Sequence, residues 1–511
     1  MKLRTVIKGI ETLGISGDAG ADISGISYDS RRVEQGHLFA ALPGEKSDGH
    51  DFIGDAIGEG AVAILYEKAE FGSTEKERSG KTVKISGEGP DKNVVFIRVR
   101  DTREALALAA NNFFANPSRD LCVTGITGTN GKTTTSYLIK SILESWGKKV
   151  GLIGTIQYMI GNETFDAPHT TPEALEFQEL LHNMRSSGCT HVVSEVSSHA
   201  LAQRRADGTV FKVGIFTNLT RDHLDFHKTM EDYFVAKERL FRELLGKGGV
   251  SVINSDDEYG RRLISTLRGP KSRIKTVYTY GLEKPSDFMA KGISNSPGGL
   301  RFKITLQDRD YDVVSPLMGL PNVYNILSAV GASVALSVPW DTILEGIRKA
   351  GTVRGRFEKV DAGQTFLVIV DYAHTEDALE RLIYTARGMT DGKIITVFGC
   401  GGDRDRGKRP RMGAVATRLS DFVIITSDNP RSEKPEEIIK EITVGAVRKN
   451  YLIEADREEA IRKAVLLADE QDIVLVAGKG HETYQEIGTK RSRFNDREVL
   501  EEAIKQLIIR Q

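Results

Sequence analysis

The sequence predicts an α/β protein of three domains, and three observations carry that prediction. From about residue 100 onward, short apolar and β-branched runs alternate with stretches of helical spacing, the pattern of a mostly parallel sheet covered by helices. Polar and charged residues crowd just after those runs, at the strand ends where such sheets collect ligands. The 511 residues are enough for about three domains. The helical passage into the second unit near residue 100 and a second run of strand–helix alternation from about 353 divide the chain into 1–100, 101–352 and 353–511.

Hydrophobic residues at 40% and charged residues at 28% are ordinary for a water-soluble globular chain, and the net charge of −1 offers no general attraction for nucleic acid or anionic membranes. Cys122, Cys189 and Cys400 are too few and too scattered for a disulfide framework or a zinc site, which favours a reducing compartment. The N-terminal MKLRTVIKGIETLG lacks a long apolar core, and no run of 18 apolar residues follows. The expected location is the cytoplasm.

In the first domain the visible features are SYDSRRVEQGHLFAALPGEKSDGHDF (27–52) and the apolar run Ala61–Leu65. Taken alone, the turn after Asp29, Ser30 and Arg31 and the loop Gly44-Glu45-Lys46-Ser47 are ordinary polar loops. The charged stretch 67–92 reads as an exposed insertion, and EALALAANNFFANP (104–117) as a helix leading into the second domain.

That domain opens on LCVTGITGTNGKTTTSYLIKSILESW (121–146). Leu121, Val123 and Ile126 read as a short buried strand, Gly125, Gly128 and Gly131 permit a tight loop, and Thr133 opens a helix that Gly147 stops. A strand, a glycine loop, Lys132-Thr133 and a helix make a phosphate cradle. Loop amides and the helix start face the anion, Lys132 adds a point charge and the Thr133 hydroxyl reaches Mg²⁺. The spacing departs from G-x-x-x-x-G-K-[ST], because Ile126 stands where a Gly is wanted and Gly125 lies one residue earlier. Downstream, VGLIGT (150–155), EALEFQELLHNM (173–184), HVVSEVSS (191–198) and VGIFTNL (213–219) continue the alternation. Thr170-Thr171, Glu195, Ser197, Ser198, His199 and the segment Asn218–His227 gather after strands or ahead of a helix.

Glu195 and His223 follow separate strands, so each reads equally as a ligand of a divalent ion or as a surface residue. Lys237 falls on the apolar stripe of Tyr233, Phe234, Leu240, Phe241 and Leu244. Burial there would lower its pKa; snorkelling along the edge of the stripe is the other reading, and composition alone favours it.

In the third domain the strands FLVIVDYA (366–373), KIITVFGCGG (393–402), DFVIITSDNP (421–430) and DIVLVAGKG (472–480) end in Asp371, His374, Arg404, Asp428, Asn429, Arg431, Lys479 and His481. The basic run of GGDRDRGKRPRMG reads as a solvated loop or as an anion clamp. Asp428-Asn429-Pro430-Arg431 puts a carboxylate, an amide and a guanidinium together, a set able to hold a zwitterionic amino acid.

Taken in order, GTNGKTTT (128–135), TTPE (170–173), EVSSHAL (195–201), FTNLTRDHLDFH (216–227), the Lys237 helix, NVYN (322–325), GRFE (355–358), DYAHT (371–375), GCGGDRDRGKRP (399–410), DNPR (428–431) and GKGHE (478–482) resemble the Mur ligases, ATP-dependent amide-forming enzymes of peptidoglycan synthesis. The resemblance covers almost the whole chain. It implies a small α/β domain for the UDP end of the substrate, a central P-loop ATPase domain and a Rossmann-like C-terminal domain for the incoming amino acid.

Carried over position by position, the resemblance gives Gly128, Thr129, Asn130, Gly131, Lys132, Thr133, Thr134, Asn322, Arg356 and Asp371 to ATP. It gives Tyr28, Ser30, Glu45, Lys46, Ser47, Thr170, Thr171, Ser197, Gln203 and Arg205 to the UDP-muramoyl-peptide, the Glu45–Ser47 loop departing most from the family pattern. Thr133, Glu195, His223 and Lys237, the last as a carbamate (N6-carboxylysine), would serve Mg²⁺; Lys132, Lys237, His223 and Glu195 would be the catalytic set. Arg404, Asp428, Asn429, Pro430, Arg431, Gly478 and Glu482 would hold the amino acid. DNPR resembles the version that takes meso-2,6-diaminopimelate, whose distal carboxylate Arg431 would meet. The implied partners are UDP-N-acetylmuramoyl-dipeptide, meso-2,6-diaminopimelate and ATP, with no nucleic acid, no stable membrane association and a monomeric state. A lysine-adding relative, a folylpolyglutamate synthetase and a P-loop binding switch are the alternatives. DNPR argues against the first, the DSR loop against the second, and a third domain carrying an amino-acid clamp against the last.

Overall fold

The computed structural model describes residues 1–44, 47–68, 94–270, 272–306 and 309–510. Glu45, Lys46 and nearly all of the 67–92 stretch lie outside the described residues. The chain divides into two compact units, one of Met1–Gly125, Lys149–Lys212 and Ala236–Gly249, the other of Ile126–Lys148, Val213–Val235 and Val250–Gln511.

In the first unit, a five-stranded sheet runs in the order Thr12–Ser16, Val95–Val99, Ala63–Tyr66, His37–Ala40, Gly25–Ser27. Its strands are parallel except for the outer Thr12–Ser16. Period-two alternation sends Leu38 and Ala40 to one face, with Ala63, Leu65, Val95 and Ile97, and Phe39 and Ala41 to the other, with Ile53, Ala56 and Ile64. Both faces are therefore core. The helix Thr102–Phe113 begins at Asp101, whose carboxylate accepts the amides of Arg103 and Glu104, and covers the first face with Ala105, Leu106 and Ala109. It ends sooner than the apolar pattern suggests, because Ala115 and Asn116 turn left-handed ahead of Pro117. The unit also holds His191–Glu195 parallel to Val150–Ile153, extended by the antiparallel strands Gln157–Ile160 and Glu163–Asp166.

In the second unit, strand Thr276–Gly281 pairs in parallel with residues 250–254 and with Phe288–Ser296. Beyond them Phe288–Ser296, Gly299–Leu306 and Arg309–Ser315 form an antiparallel meander. Strand–helix alternation had not predicted it. The signal lies in the period-two burial of Phe302 and Ile304 against exposed Arg301 and Lys303, and in the Pro297-Gly298 turn.

The C-terminal sheet, in the same unit, runs Glu358–Val360, Leu367–Asp371, Ile473–Ala477, Ile394–Phe398, Phe422–Ile425, Tyr451–Ile453, parallel except at Glu358–Val360. Ile473–Ala477 and Ile394–Phe398 are buried along their whole length, as expected of central parallel strands covered on both faces. Asp371, Gly399, Asp428 and Gly478 all follow carboxyl ends of this sheet or close them. Among the described residues, no helix is long and apolar enough to cross a membrane. All three cysteines are free thiols, and burial pushes that of Cys400 up to about 12.

Candidate active site

Strand Cys122–Thr127 delivers the glycine loop, and the helix Lys132–Ser145 leaves it. Gly128 has φ +146 and Gly131 φ +88; a Cβ on the first would overlap Thr217 Oγ1 and on the second Asn325 Oδ1, so only glycine fits either place. The loop is held from several sides. Asn218 Oδ1 accepts the Asn130 amide at 2.9 Å, Thr217 Oγ1 donates to Asn130 O at 2.7 Å, and Asn130 Nδ2 donates to Asp377 at 3.2 Å. Lys132 Nζ donates to the Gly128 and Thr129 carbonyls at 3.0 and 2.9 Å, which keeps its charge over the loop. Gly131 caps the helix without a side-chain bond, so the first-turn amides remain directed at whatever anion the loop holds.

The structure brings Asn322, Arg356 and Asp371 to this loop's surroundings within the second unit. Asn325 Nδ2 donates to Asn322 Oδ1 at 2.9 Å, and Arg356 Nη2 reaches Thr133 Oγ1 at 3.4 Å while its guanidinium stacks on Tyr372. Asp371 accepts the Phe357 amide at 2.6 Å; burial pushes its carboxyl up, opposed by Arg356. His481 packs on Tyr372, and its burial, aided by Arg356, Arg354 and Lys479, holds it down to about 3. His223 has φ +54, and its side chain is 43% exposed beside Asp222.

At the carboxyl edge of the C-terminal sheet, three distant segments interlock. Lys479, fully buried, donates to Asn429 Oδ1 at 3.0 Å and to Glu482 at 2.9 Å, and Asn429 Nδ2 donates to Glu482 at 2.8 Å. Burial pushes the Glu482 carboxyl up, with Lys479 opposing. Gly478 has φ +114, and a Cβ there would stand 2.6 Å from Asp428 Oδ2. Beneath them the Arg457–Asp496 pair is wholly buried, and Arg457 also donates to Ser427 O and Ala477 O, the residues just before Asp428 and Gly478. The basic run does not form the anion clamp its composition allows. Arg409 is buried against Glu433 and Glu441, Arg406 pairs with Glu433 and Arg411 with Glu376, which leaves Arg404 exposed and without an ion pair among the described residues. Gly402 lies so close to Pro430 O that no side chain fits, which presses this loop onto buried Pro430, next to the partly exposed Arg431.

In the first unit, Glu195 is fully buried; its two oxygens accept the Thr155 amide at 3.0 Å and the Thr155 hydroxyl at 2.9 Å. Thr155 Oγ1 lies 3.1 Å from Thr170 Oγ1, and Thr171 Oγ1 donates to Glu195 O and accepts the Ser197 amide. Arg205 joins the set through Thr171 O, Gln203 and Glu173, and Tyr28 donates to Glu176, three residues past Glu173, at 2.8 Å. Tyr28, Thr170, Thr171, Glu195, Ser197, Gln203 and Arg205 thus share one region of this unit. Ser30 opens a short turn after Tyr28, and Ser47 is exposed; among the described residues neither is hydrogen-bonded to this set. Lys237 is 1% exposed, which overturns snorkelling: Tyr233, Phe234, Leu240 and Phe241 of its stripe are buried as deeply.

Of the residues the resemblance gives to the metal, Thr133 offers a hydroxyl, Glu195 a carboxylate and His223 an imidazole, a mostly oxygen set whose chemistry suits Mg²⁺. Among the described residues no three His, Cys, Asp or Glu side chains form a cage. Mg²⁺ ordinarily takes one or two protein oxygens together with substrate phosphates and water, so the set fits.

Thr155, Glu173, Asn325, Arg457 and Gln485, whose amide donates to Asp428 O at 2.8 Å, escaped the sequence reading as candidate site residues, and Lys479 was noted only as a polar strand end. Asn325, Glu173 and Lys479 sit inside the motifs NVYN, TTPE and GKGHE, where a signal was present. Arg457 and Asp496 carry no local signal at all.

The model of the Mur ligase middle domain matches residues 126–333, that of the Mur ligase glutamate ligase domain 355–480, and that of the Mur ligase family catalytic domain 22–114. The chain belongs to the Mur ligase family. Within it, the chain is 46% identical over 493 residues to the UDP-N-acetylmuramoyl-L-alanyl-D-glutamate--2,6-diaminopimelate ligase of Solibacter usitatus (strain Ellin6076), covering 95% of this chain and 94% of that one. It is 43% identical to the ligase of the same name from Clostridioides difficile (strain 630), covering 99% and 100%. A solved structure of a ligase of that name superposes with a TM-score of 0.69 at 33% identity, over 99% of each chain.

Proposed function

We propose that this chain uses ATP to join meso-2,6-diaminopimelate to UDP-N-acetylmuramoyl-L-alanyl-D-glutamate in the cytoplasm, as a monomer without nucleic-acid or stable membrane partners. The carrying observation is its 43% identity, over 99% of its length, to a ligase named for that reaction. Arg431 in DNPR is the residue that favours diaminopimelate over lysine. The domains are 1–100 for the UDP end, 101–352 for ATP and 353–511 for the amino acid.

In the reaction, the side-chain carboxylate of the substrate's D-glutamate attacks the γ-phosphorus of ATP, giving an acyl phosphate and ADP. The amine of diaminopimelate then attacks the acyl carbon, the amide forms and phosphate leaves. Lys132 and the amides of Gly128–Thr134 offset charge developing on the transferred phosphoryl group. Asn322, Arg356 and Asp371 hold the nucleotide; Arg356 beside Thr133 supports this part of the reading. Tyr28, Ser30, the Glu45–Ser47 loop, Thr170, Thr171, Ser197, Gln203 and Arg205 hold the UDP-muramoyl-dipeptide and present its carboxylate. Asp428, Asn429, Glu482 and the backbone at Gly478 orient the amino acid, with Arg404 and Arg431 for its carboxylates and Pro430 shaping the turn. Thr133, Glu195, His223 and the carbamate of Lys237 would hold Mg²⁺, which when bound neutralises phosphate charge. Lys237 is 1% exposed, and its amine, when uncharged, can add CO₂ with loss of a proton.

The test is phosphate release from ATP with the muramoyl-dipeptide, comparing meso-diaminopimelate with L-lysine. Turnover should depend on diaminopimelate; equal or better turnover with lysine would sink the assignment.

A further inference from the structure

Arg431 is held by more than its own loop. Its backbone is left-handed, φ +52, and is fixed by a parallel bridge to Ile487, with Arg431 N donating to Glu486 O at 3.1 Å and Gly488 N donating to Arg431 O at 2.7 Å. The guanidinium is then pinned twice, Nη1 donating to Gly402 O at 2.7 Å and Nε to Glu486 Oε2 at 3.2 Å. Glu486 belongs to the hairpin Tyr484–Ile487 and Lys490–Arg493, and its amide donates to Asn429 Oδ1 at 3.0 Å, so one residue touches both ends of the Asn429–Arg431 segment.

The neighbouring carboxylates are otherwise engaged. Glu482 is shared by Lys479 and Asn429, Glu433 by Arg409 and Arg406, and Asp403 by Ser432. Glu486 is the acid that meets Arg431. With Nε and Nη1 occupied, Arg431 Nη2 makes no hydrogen bond among the described residues. A guanidinium grips a carboxylate through two parallel N–H groups, so fixing Nε decides which edge of the fork faces the ligand.

Resting on the activity proposed above, we infer that Glu486 is a positioning residue for amino-acid selection. It turns the Arg431 fork so that the unengaged Nη2 N–H groups meet the distal carboxylate of diaminopimelate, and it prevents the flexible side chain from sampling other rotamers. Glu486 and Arg431 are both partly exposed, so neither is a core support.

The experiment measures steady-state phosphate release for the wild type, Glu486→Ala, Glu486→Gln, Arg431→Ala and the Arg431→Ala/Glu486→Ala pair. Glu486→Ala should raise KM for meso-diaminopimelate about tenfold, with kcat and KM for ATP within about twofold of wild type. Glu486→Gln keeps an acceptor oxygen for Nε and should recover most of the loss. In the Arg431→Ala background, removing Glu486 should change KM less than about twofold, because the side chain it positions is gone. An unchanged or lowered KM in Glu486→Ala overturns the inference. So does an equal rise in both backgrounds, or a parallel rise in KM for ATP, either of which would mark general support of the hairpin. A wild-type chain that ignores meso-diaminopimelate sinks the proposed activity as well; an active wild type with an unaltered Glu486→Ala variant sinks this inference alone.

Discussion

The phosphate loop and the carboxyl edge of the C-terminal sheet are built by different means for the charged groups proposed to bind there. Around Gly128–Thr134 the determinants are backbone ones: two glycines with φ values closed to other residues, a helix start without a side-chain cap, and a lysine folded over the loop that precedes it. Around Asp428–Glu486 the determinants come from segments 50 or more positions apart, the Asn429 side chain meeting Lys479, Glu482 and the Glu486 amide. A phosphate needs only convergent amides and a positive charge, which one short stretch of chain can supply. Recognising one amino acid among several requires groups at fixed places and of both signs, and only tertiary contacts hold them there.

The two regions should therefore fail differently. Lys132→Ala should lower kcat by about 1,000-fold whichever amino acid is supplied, since it removes charge compensation from the step common to all of them. Lys237→Ala should cost at least about 100-fold in turnover, and added bicarbonate should not restore it; a fully active variant would return Lys237 to a structural role. Asp496→Asn leaves Arg457 as an unpaired buried charge and should cost about 3–5 kcal/mol of stability, read by denaturant unfolding. Its surviving folded fraction should bind diaminopimelate worse than ATP, because Arg457 anchors Ser427 O and Ala477 O. Arg431→Ala should raise KM for diaminopimelate about 30-fold and leave KM for ATP nearly untouched; equal effects on both would erase the distinction drawn here.

The smallest effect concerns pH. Burial first, and then Arg356 and its cationic neighbours, lowers His481 from 6.5 to about 3. The unfolded chain takes up a proton near 6.5 and the folded chain does not. The stability this group contributes is thus complete above pH 6.5 and is lost as pH falls from there toward 3, by at most about 1.4 kcal/mol per unit. Melting temperatures between pH 7 and 5 should fall less steeply in His481→Asn than in the wild type. An identical slope would mean that His481 is not held neutral by the fold.

Much of this molecule was legible in advance where the chain makes structure locally. The strand, loop and helix of 121–146 emerged where hydrophobic spacing and glycines placed them, and four of the six strands of the C-terminal sheet sit inside the runs 366–373, 393–402, 421–430 and 472–480, while the short edge strands Glu358–Val360 and Tyr451–Ile453 fall outside them. The meander of 288–315 was missed because strand–strand alternation is a weaker signal than strand–helix alternation. Lys237 was misjudged from spacing alone, since a lysine on an apolar stripe is compatible with either burial or snorkelling. Arg409 looked like a surface cation and proved to be buried, because its partners Glu433 and Glu441 lie 24 and 32 positions away.

By itself, then, the sequence determined the phosphate loop and the order of the elements, because glycine conformations and apolar periodicity act over a few neighbouring residues. It also marked Arg431 as the residue for a distal carboxylate. Only the tertiary structure decided how that guanidinium is aimed. Gly402 O and Glu486 hold it from either side, and neither is adjacent to it in sequence. A side chain's direction is set by the groups packed around it in space, which sequence spacing does not encode.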